Sequence, residues 1–294
     1  MLEFSRLTLV DASRLRPFLT QTYSRTCDHV FGTLFMWRDM WPTDYAIYKE
    51  YLFFRIDNNK GQTGYMPPTG NNKDFDLEQA LDVLDSYDQG QKVFYNVAKT
   101  ELDILHQRYT DISVKDQSSA YDYLYCARAM AALSGRKLHG QRNHCNYFER
   151  TWKFHFSEVT NENAHDAKAF FERFAVEKHS DFFTESNHKI LEVLDNLDIY
   201  RFSSLALYVD GKIIGCTFGT LIGDTLYVSI EQADRDYRGA YPKLASAFVE
   251  AHLDAGAKFV NREDDMGDEG LRRSKLAWNP VEILEKFTIT VNAG

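Results

Sequence analysis

SLALYVDGKIIGCTFGTLIGDTLYVSIE, residues 204–231, decides the architecture of the C-terminal half. Three apolar, β-branched runs (Ser204–Val209, Lys212–Ile222 and Thr225–Glu231) are parted by the two-residue breaks Asp210-Gly211 and Gly223-Asp224. Such turns match the twist of flanking strands, so the pattern predicts three consecutive antiparallel strands. Downstream, Tyr241, Leu244, Ala245, Phe248 and Val249 recur at helical spacing. Pro242 sits in the first turn of that helix, where a missing N–H costs nothing, and Gly256 ends it. A short strand, Lys258-Phe259-Val260, then leads into a charged block, a short helix around Leu271 and a last strand, Val281 to Val291. Upstream, Trp152 to Phe156 alternates as a strand. Asn161 is placed to cap a helix bearing Ala164, Ala167, Phe171 and Phe174, and Ile190, Leu191, Leu194 and Leu197 mark a second helix.

The first half reads as mixed α and β. Helices are expected over Leu7–Tyr23, over Leu77–Leu84 with Asp76 as N-cap, and over Thr100–Arg108. Tyr45 to Ile56 has the aromatic and β-branched content of a strand or hairpin, and Val93–Tyr95 and Ile112–Val114 read as strands. The chain of 294 residues is long enough for two ordinary domains, by a prior of roughly 100–200 residues each.

Composition narrows the function classes. A net charge of −9 argues against broad, non-specific nucleic-acid binding, which depends on neutralising phosphates. No run approaches the ~20 apolar residues of a membrane span, and the N-terminus lacks the pattern of a signal peptide. The four cysteines (Cys27, Cys126, Cys145, Cys216) are widely spaced and form no CxxC, so a cytosolic protein with reduced thiols and no metal site is expected. Cys216, inside a strand, reads as core. Trp37 and Trp41, four apart, read as a packed helix face.

Two segments carry candidate chemistry. From Asn261 to Lys275 lie five acids (Glu263, Asp264, Asp265, Asp268, Glu269) and four bases (Arg262, Arg272, Arg273, Lys275), directly after a strand. Strand ends are where open α/β sheets place their chemistry, although charge runs are often no more than solvated loops. From Arg136 to Arg150 there are four fixed positive charges, one negative charge and two histidines. His139 and His144 are five apart with no carboxylate at metal spacing, which disfavours a metal site.

The element order (two helices, three antiparallel strands, helix, strand, helix, strand) resembles the GNAT acyltransferase fold, in which a loop and helix N-terminus hold the donor's phosphates. Arg235, Arg238, Gly239 and Ala240 occupy that place and are the candidate donor-binding residues. Gly135-Arg136-Lys137-Leu138-His139 with Arg142-Asn143-His144, Asn261 through Gly267, and Gly270 through Lys275 resemble a bacterial family similar to the C-terminal domain of phosphatidylglycerol lysyltransferases. The resemblance covers nearly the whole chain. It implies an α+β fold of two tandem GNAT-like domains with mostly antiparallel sheets, here divided as residues 1–135 and 136–294. It also implies kinship with transferases that take an aminoacyl group from aminoacyl-tRNA.

Acyl transfer to an amine or hydroxyl needs a held donor, a base and a stabilised oxyanion. Glu231, Asp264 and Lys275 are the expected catalytic residues, and Lys137, His139, Arg142, Asn261, Arg262 and Arg272 the expected substrate-binding ones. Aminoacyl-tRNA is the first expected donor and a coenzyme A thioester the second. The acceptor would be a small molecule, a peptide or a lipid headgroup. The competing reading is a non-catalytic GNAT-like module that binds a ligand or protein. In it, Arg262 and Asp264 form a structural clamp.

Overall fold

A computed structural model describes residues 2–20, 24–58, 61–71, 74–177 and 181–292. The chain forms two compact units. The first comprises Met1–Asp122, Asp264–Asp268 and Ile283–Gly294; the second comprises Tyr123–Glu263 and Glu269–Glu282. The division falls at Asp122, earlier than the expected 135/136, and the chain returns to the first unit twice. Each unit is a mostly antiparallel sheet flanked by helices, the GNAT-like α+β arrangement.

Among the described residues, the first unit's sheet runs Ser5–Arg6, Thr43–Tyr48, Tyr51–Asp57, Thr63–Tyr65, Lys92–Ala98, Lys286–Val291, Ile112–Asp116. The hairpin of Thr43–Tyr48 and Tyr51–Asp57 matches the expected strand pair. The helix Leu77–Tyr87 buries Leu77, Ala80, Leu81 and Leu84 on one stripe, and the Asp76 carboxylate accepts the Glu78 N–H at 2.9 Å. The helix expected over Leu7–Tyr23 is instead broken into the turns Leu9–Asp11, Ala12–Leu15 and Arg16–Thr20, while residues 21–23 lie outside the described residues. Pro17 gives the reason, since it cannot donate within a continuous helix. Leu15, Phe18 and Leu19 are buried all the same.

The expected last strand, Val281 to Val291, is two strands, Glu282–Leu284 and Lys286–Val291. The second enters the first unit's sheet between Lys92–Ala98 and Ile112–Asp116, antiparallel to both. Ile289 and Val291 join that unit's core. Lys286, on the opposite face by strand alternation, is 1% exposed. Its ammonium lies 2.8 Å from both the Asp28 and Asp122 carboxylates and 3.6 Å from the Cys27 sulfur. Cys27, Asp28 and Asp122 present ligand atoms within 4.8 Å of one another, spacing that could suit a metal, but Lys286 itself supplies the cation there. Burial would drive its proton off; the carboxylates of Asp122 and Asp28 overcome this and hold its pKa well above the ordinary lysine value.

Among the described residues, the second unit's sheet includes strands in the order Asp122–Cys126, Phe259–Asn261, Thr225–Ala233, Lys212–Ile222, Ser203–Val209, Phe154–Ser157. The three-strand meander expected from residues 204–231 is present. The helix Ala240–Leu253 buries Leu244, Ala245, Phe248 and Val249 against one face. Asn163 rather than Asn161 organises the start of the helix Ala164–Glu177: its side-chain oxygen accepts the Thr160 N–H at 2.8 Å, and its carbonyl accepts from Asp166 and Ala167. Cys216 is buried in its strand, as expected.

Removing the Lys286 ammonium leaves two buried carboxylates without their counter-ion. Lys286→Met is expected to destabilise the first unit by about 3–5 kcal/mol in denaturant unfolding. A second expectation concerns pH. Burial pushes the Glu101 carboxyl up to about 8 and the His29 imidazole down to about 4. Between the unfolded value near 4.5 and about 8, folded Glu101 keeps a proton that the unfolded chain has released, so its contribution to stability falls as pH rises. Folded His29 refuses a proton that the unfolded chain accepts between about 4 and 6.5, so its contribution falls as pH drops. The two oppose each other below about pH 6.5. From there to about pH 8 the Glu101 effect stands alone, with a slope of up to ~1.4 kcal/mol per pH unit. Urea unfolding across that interval should show the decline in the native protein and its loss in Glu101→Gln.

Candidate active site

In the second unit, the strands Thr225–Ala233 and Phe259–Asn261 run parallel but pair over three positions alone: Thr225 with Phe259, Leu226 with Val260 and Tyr227 with Asn261. The parallel register ends at Tyr227 while the longer strand continues to Ala233, so the sheet parts at this point. Arg262 is the first residue past the last pair and Glu231 the fourth. The Arg262 side chain reaches across the parting, and its guanidinium Nη2 donates to the Glu231 carboxylate. Thr217, directly opposite Glu231 on the neighbouring strand, shares its face.

Both members of this pair are nearly enclosed, with side chains 12% and 10% exposed. Burial opposes the charge on Arg262, yet the Glu231 carboxylate holds its pKa above the ordinary arginine value. The guanidinium carbon lies 5.2 Å from the ring centre of Trp278 and 5.9 Å from that of Tyr125. A cation over aromatic faces in a desolvated setting is stabilised by roughly 2 kcal/mol. One arm of the fork, Nη1, is buried and has no hydrogen-bond partner among the described residues; the hydroxyl of Thr217 is in the same condition. Unsatisfied buried donors are rare in folded proteins and call for an explanation.

Tyr125 and Trp278 also line a cavity of about 190 Å³. Its remaining walls are Cys126, Ala129 and Met130, the loop 134–138, and Asn279 and Val281. The motif Gly135–Leu138 and the segment Trp278–Asn279, just after the charged block, therefore meet here. Arg136 and Lys137 stand exposed on its rim.

The other expected site residues fall in several places. Asn261 is fully buried, and its side-chain oxygen accepts the Glu263 N–H at 2.6 Å. The Lys275 ammonium donates to the carbonyls of Arg262 and Glu263, and the Lys275 carbonyl accepts the Tyr125 hydroxyl at 3.0 Å. Lys275 thus fixes the backbone that carries Arg262. Asp264 belongs to the first unit, where its carboxylate accepts the Met266 N–H at 3.1 Å. Arg272 is half-buried on the helix Glu269–Leu276. His139 opens the helix His139–Thr151, exposed and beside Asn143. Arg142 turns back to donate to the carbonyls of Leu133 and Gly135, closing the end of the helix Ala127–Ala132. Lys137 and Arg142, expected to act together, therefore differ: the first faces the cavity rim and the second braces the loop that forms it.

Three of the four expected donor-loop residues are engaged by their own surroundings. The Arg238 guanidinium lies 4.8 Å from the Tyr147 ring centre, and the Ala240 N–H donates to the Tyr237 carbonyl at 2.9 Å. Gly239 has φ +94° and sits where a Cβ would come within 2.2 Å of the His144 carbonyl oxygen. Arg235 is exposed. Sequence reasoning did not select Tyr125, Thr217, Arg136 or Trp278. Arg136 lies inside the motif Gly135–His139 and so had a signal, whereas Trp278 looked like an isolated core aromatic. Tyr125 and Thr217 looked like ordinary strand residues.

Gly239→Ala meets both a left-handed φ and backbone oxygen at contact distance. It is expected to destabilise the second unit by about 1–3 kcal/mol in urea unfolding, through backbone strain that no side-chain rearrangement relieves.

Known proteins share this fold. A conserved protein of unknown function from Bacteroides thetaiotaomicron VPI-5482 is 27% identical and superposes with a TM-score of 0.87, covering 99% of this chain and 100% of that one. The C-terminal domain of a putative lysylphosphatidylglycerol synthetase from Agrobacterium fabrum has the same fold at 14% identity, with a TM-score of 0.67 over 97% of this chain and 93% of that one. An uncharacterized protein of Mycoplasmoides gallisepticum is 27% identical over 198 residues, 65% of this chain and 62% of that protein, so the chain spans under two thirds of its length. The family described as phosphatidylglycerol lysyltransferase, C-terminal, matches residues 20–290. The parted strands, the Glu231–Arg262 pair and the cavity beside them thus lie in a chain that belongs to the phosphatidylglycerol lysyltransferase C-terminal family.

Proposed function

We propose that this chain transfers an aminoacyl group from aminoacyl-tRNA to an amine or hydroxyl acceptor. The observation that carries the reading is the divided fork of Arg262. One arm is held by Glu231, and the other, Nη1, is buried and unpartnered at the point where the sheet parts. A fixed cationic N–H in a water-poor site is what an ester carbonyl needs as it becomes an oxyanion. Glu231 holds that donor in place, and Lys275 holds the strand end behind it. Attack by the acceptor's lone pair on the ester carbon builds negative charge on the carbonyl oxygen; its collapse breaks the bond to the ribose oxygen, which leaves as the hydroxyl with the proton that the acceptor gives up.

Family membership supports an aminoacyl donor, and the loop at Asp234–Gly239 favours it over coenzyme A. The Ala240 N–H, which would face a pyrophosphate, is taken by Tyr237, and Gly239 packs against His144. The acceptor follows the same logic at a coarser level: a small molecule, peptide or lipid headgroup that offers an amine or hydroxyl.

The test is transfer of radiolabelled amino acid from charged tRNA. Arg262→Lys keeps the charge but loses the two-armed fork. Its turnover is expected to fall about 10²–10³-fold, the usual cost of one oxyanion donor. Native turnover in the Arg262→Lys variant would overturn the role given to Arg262. Transfer from acyl-coenzyme A in place of charged tRNA would overturn the donor.

A further inference from the structure

We infer that the cavity walled by Tyr125, Trp278 and the loop 134–138 binds the terminal adenosine nucleotide of the donor, with its base in the cavity and its phosphates on Arg136 and Lys137. The inference rests on the transferase reading above and adds the subsite that would position the ester.

Size comes first. Pockets that enclose a whole small molecule measure roughly 300–1,000 Å³. At about 190 Å³ this cavity takes one ring system of a larger ligand and leaves the remainder outside. Its lining decides which ring system. Tyr125 and Trp278 offer aromatic surface, and Ala129, Met130 and Leu138 offer apolar walls. Ser134 and Asn279 bring polar side chains to the same lining. An aromatic base stacked on such side chains is stabilised by roughly 1–3 kcal/mol. An aliphatic ligand would gain nothing from the polar groups, and a compact polar one nothing from the rings.

Charge places the remainder of the ligand. The protein carries −9 overall, yet consecutive cations, Arg136 and Lys137, stand at the mouth of this cavity. Both are exposed. The loop that presents them is held from behind, because Arg142 donates to the carbonyls of Leu133 and Gly135. Arg136 contributes a fork suited to phosphate and Lys137 a point charge. An aromatic slot with a cationic mouth matches a nucleoside monophosphate unit.

The cavity also adjoins the proposed chemistry. The two rings that line it are the ones under the Arg262 guanidinium, 5.2 and 5.9 Å from it. In an esterified terminal adenosine the ester hangs from the ribose next to the base. A base held by Tyr125 and Trp278 would rest on the same two rings that carry the Arg262 guanidinium, which places it next to the proposed oxyanion donor.

AMP is the simplest probe, followed by tryptophan fluorescence or ligand-detected NMR on the whole chain. The native protein should bind it. The double variant Arg136→Glu, Lys137→Glu, which alters exposed side chains alone, should weaken binding at least tenfold. It should also raise KM for charged tRNA by a similar factor. Ala129→Phe, which fills the cavity, should compete with AMP in the same way. If AMP fails to bind and the double variant leaves KM unchanged while Arg262→Lys still slows transfer, the adenosine site is wrong and the transferase reading stands. If charged tRNA supports no transfer but AMP binds and the rim variant releases it, the transferase reading falls and the cavity remains an adenine-nucleotide site. AMP binding that is indifferent to both the rim and Ala129 variants would overturn the site.

Discussion

A buried lysine holds the first unit together. Lys286 lies among Asp28, Asp122 and Cys27 with its ammonium 2.8 Å from each carboxylate. It begins a strand that fills the interior of the first sheet between Lys92–Ala98 and Ile112–Asp116. Without that strand the two flanking strands have no common partner, and Ile289 and Val291 leave the core. The cation draws together three distant parts of the sequence: the turn at Cys27–His29, the start of the strand Asp122–Cys126, and the strand Lys286–Val291. The first unit is therefore closed by contacts some 160 and 260 residues apart along the chain. Such long-range pairing is slow to form, because loop closure must precede any gain from contact. A hydrophobic residue at 286 could fill the volume, but it would not distinguish this register from its neighbours. Two acids waiting for one ammonium accept a single arrangement.

The second unit solves a different problem. A sheet whose strands stay paired offers no opening at its centre, since every backbone group is used and every face is covered. Here the short parallel pairing of Thr225–Tyr227 with Phe259–Asn261 ends early and leaves a parting that side chains must bridge. An Arg–Glu pair does so while keeping polar groups in the gap. Burial of an ion pair is expensive unless its hydrogen bonds are completed. Arg262 has Glu231, two aromatic rings and one arm to spare. That spare arm is a cost to the folded chain, and the proposed oxyanion role would give it a use. Local conflict of this kind is expected at functional sites.

The sequence made the local features legible and hid the distant ones. The turns at Asp210-Gly211 and Gly223-Asp224, the Asp76 cap and the stripe from Leu244 to Val249 all depend on neighbours within a few residues, and each stands where the pattern placed it. Lys286 falls inside the run expected as the last strand, Val281 to Val291, and nothing in its neighbours marks it out; its burial depends on acids that only the fold brings near. Arg142 sat in a basic run and suggested phosphate binding, but its fork is used on two carbonyls of its own chain. Glu231 and Arg262 were each chosen for lying at a strand end. Their pairing could not be foreseen, because it depends on where a parallel pairing stops. Trp278 and Tyr125 were missed for the same reason: as isolated aromatics they look like core, and they line a cavity only because the loop 134–138 and the chain after the helix Glu269–Leu276 meet around them.

Under the proposed reading, an acidic protein would have to recognise its tRNA donor at short range. With a net charge of −9, long-range attraction works against the approach of a polyanion. At physiological ionic strength fields are screened within ~8 Å, so the two cations beside the cavity act on phosphates that have already arrived. Proteins that bind nucleic acid through broad basic surfaces gain affinity from counterion release and little discrimination. The proposed site has the opposite balance: two rim cations, an aromatic slot and one buried guanidinium. That balance suits recognition of the single-stranded end of an RNA, where a base can leave its stack and enter a pocket. It suits the body of a duplex poorly. The part of the donor that matters for transfer is that same end, so selectivity for the terminal nucleotide and alignment of its ester would come from one set of contacts around Tyr125, Trp278 and Arg262.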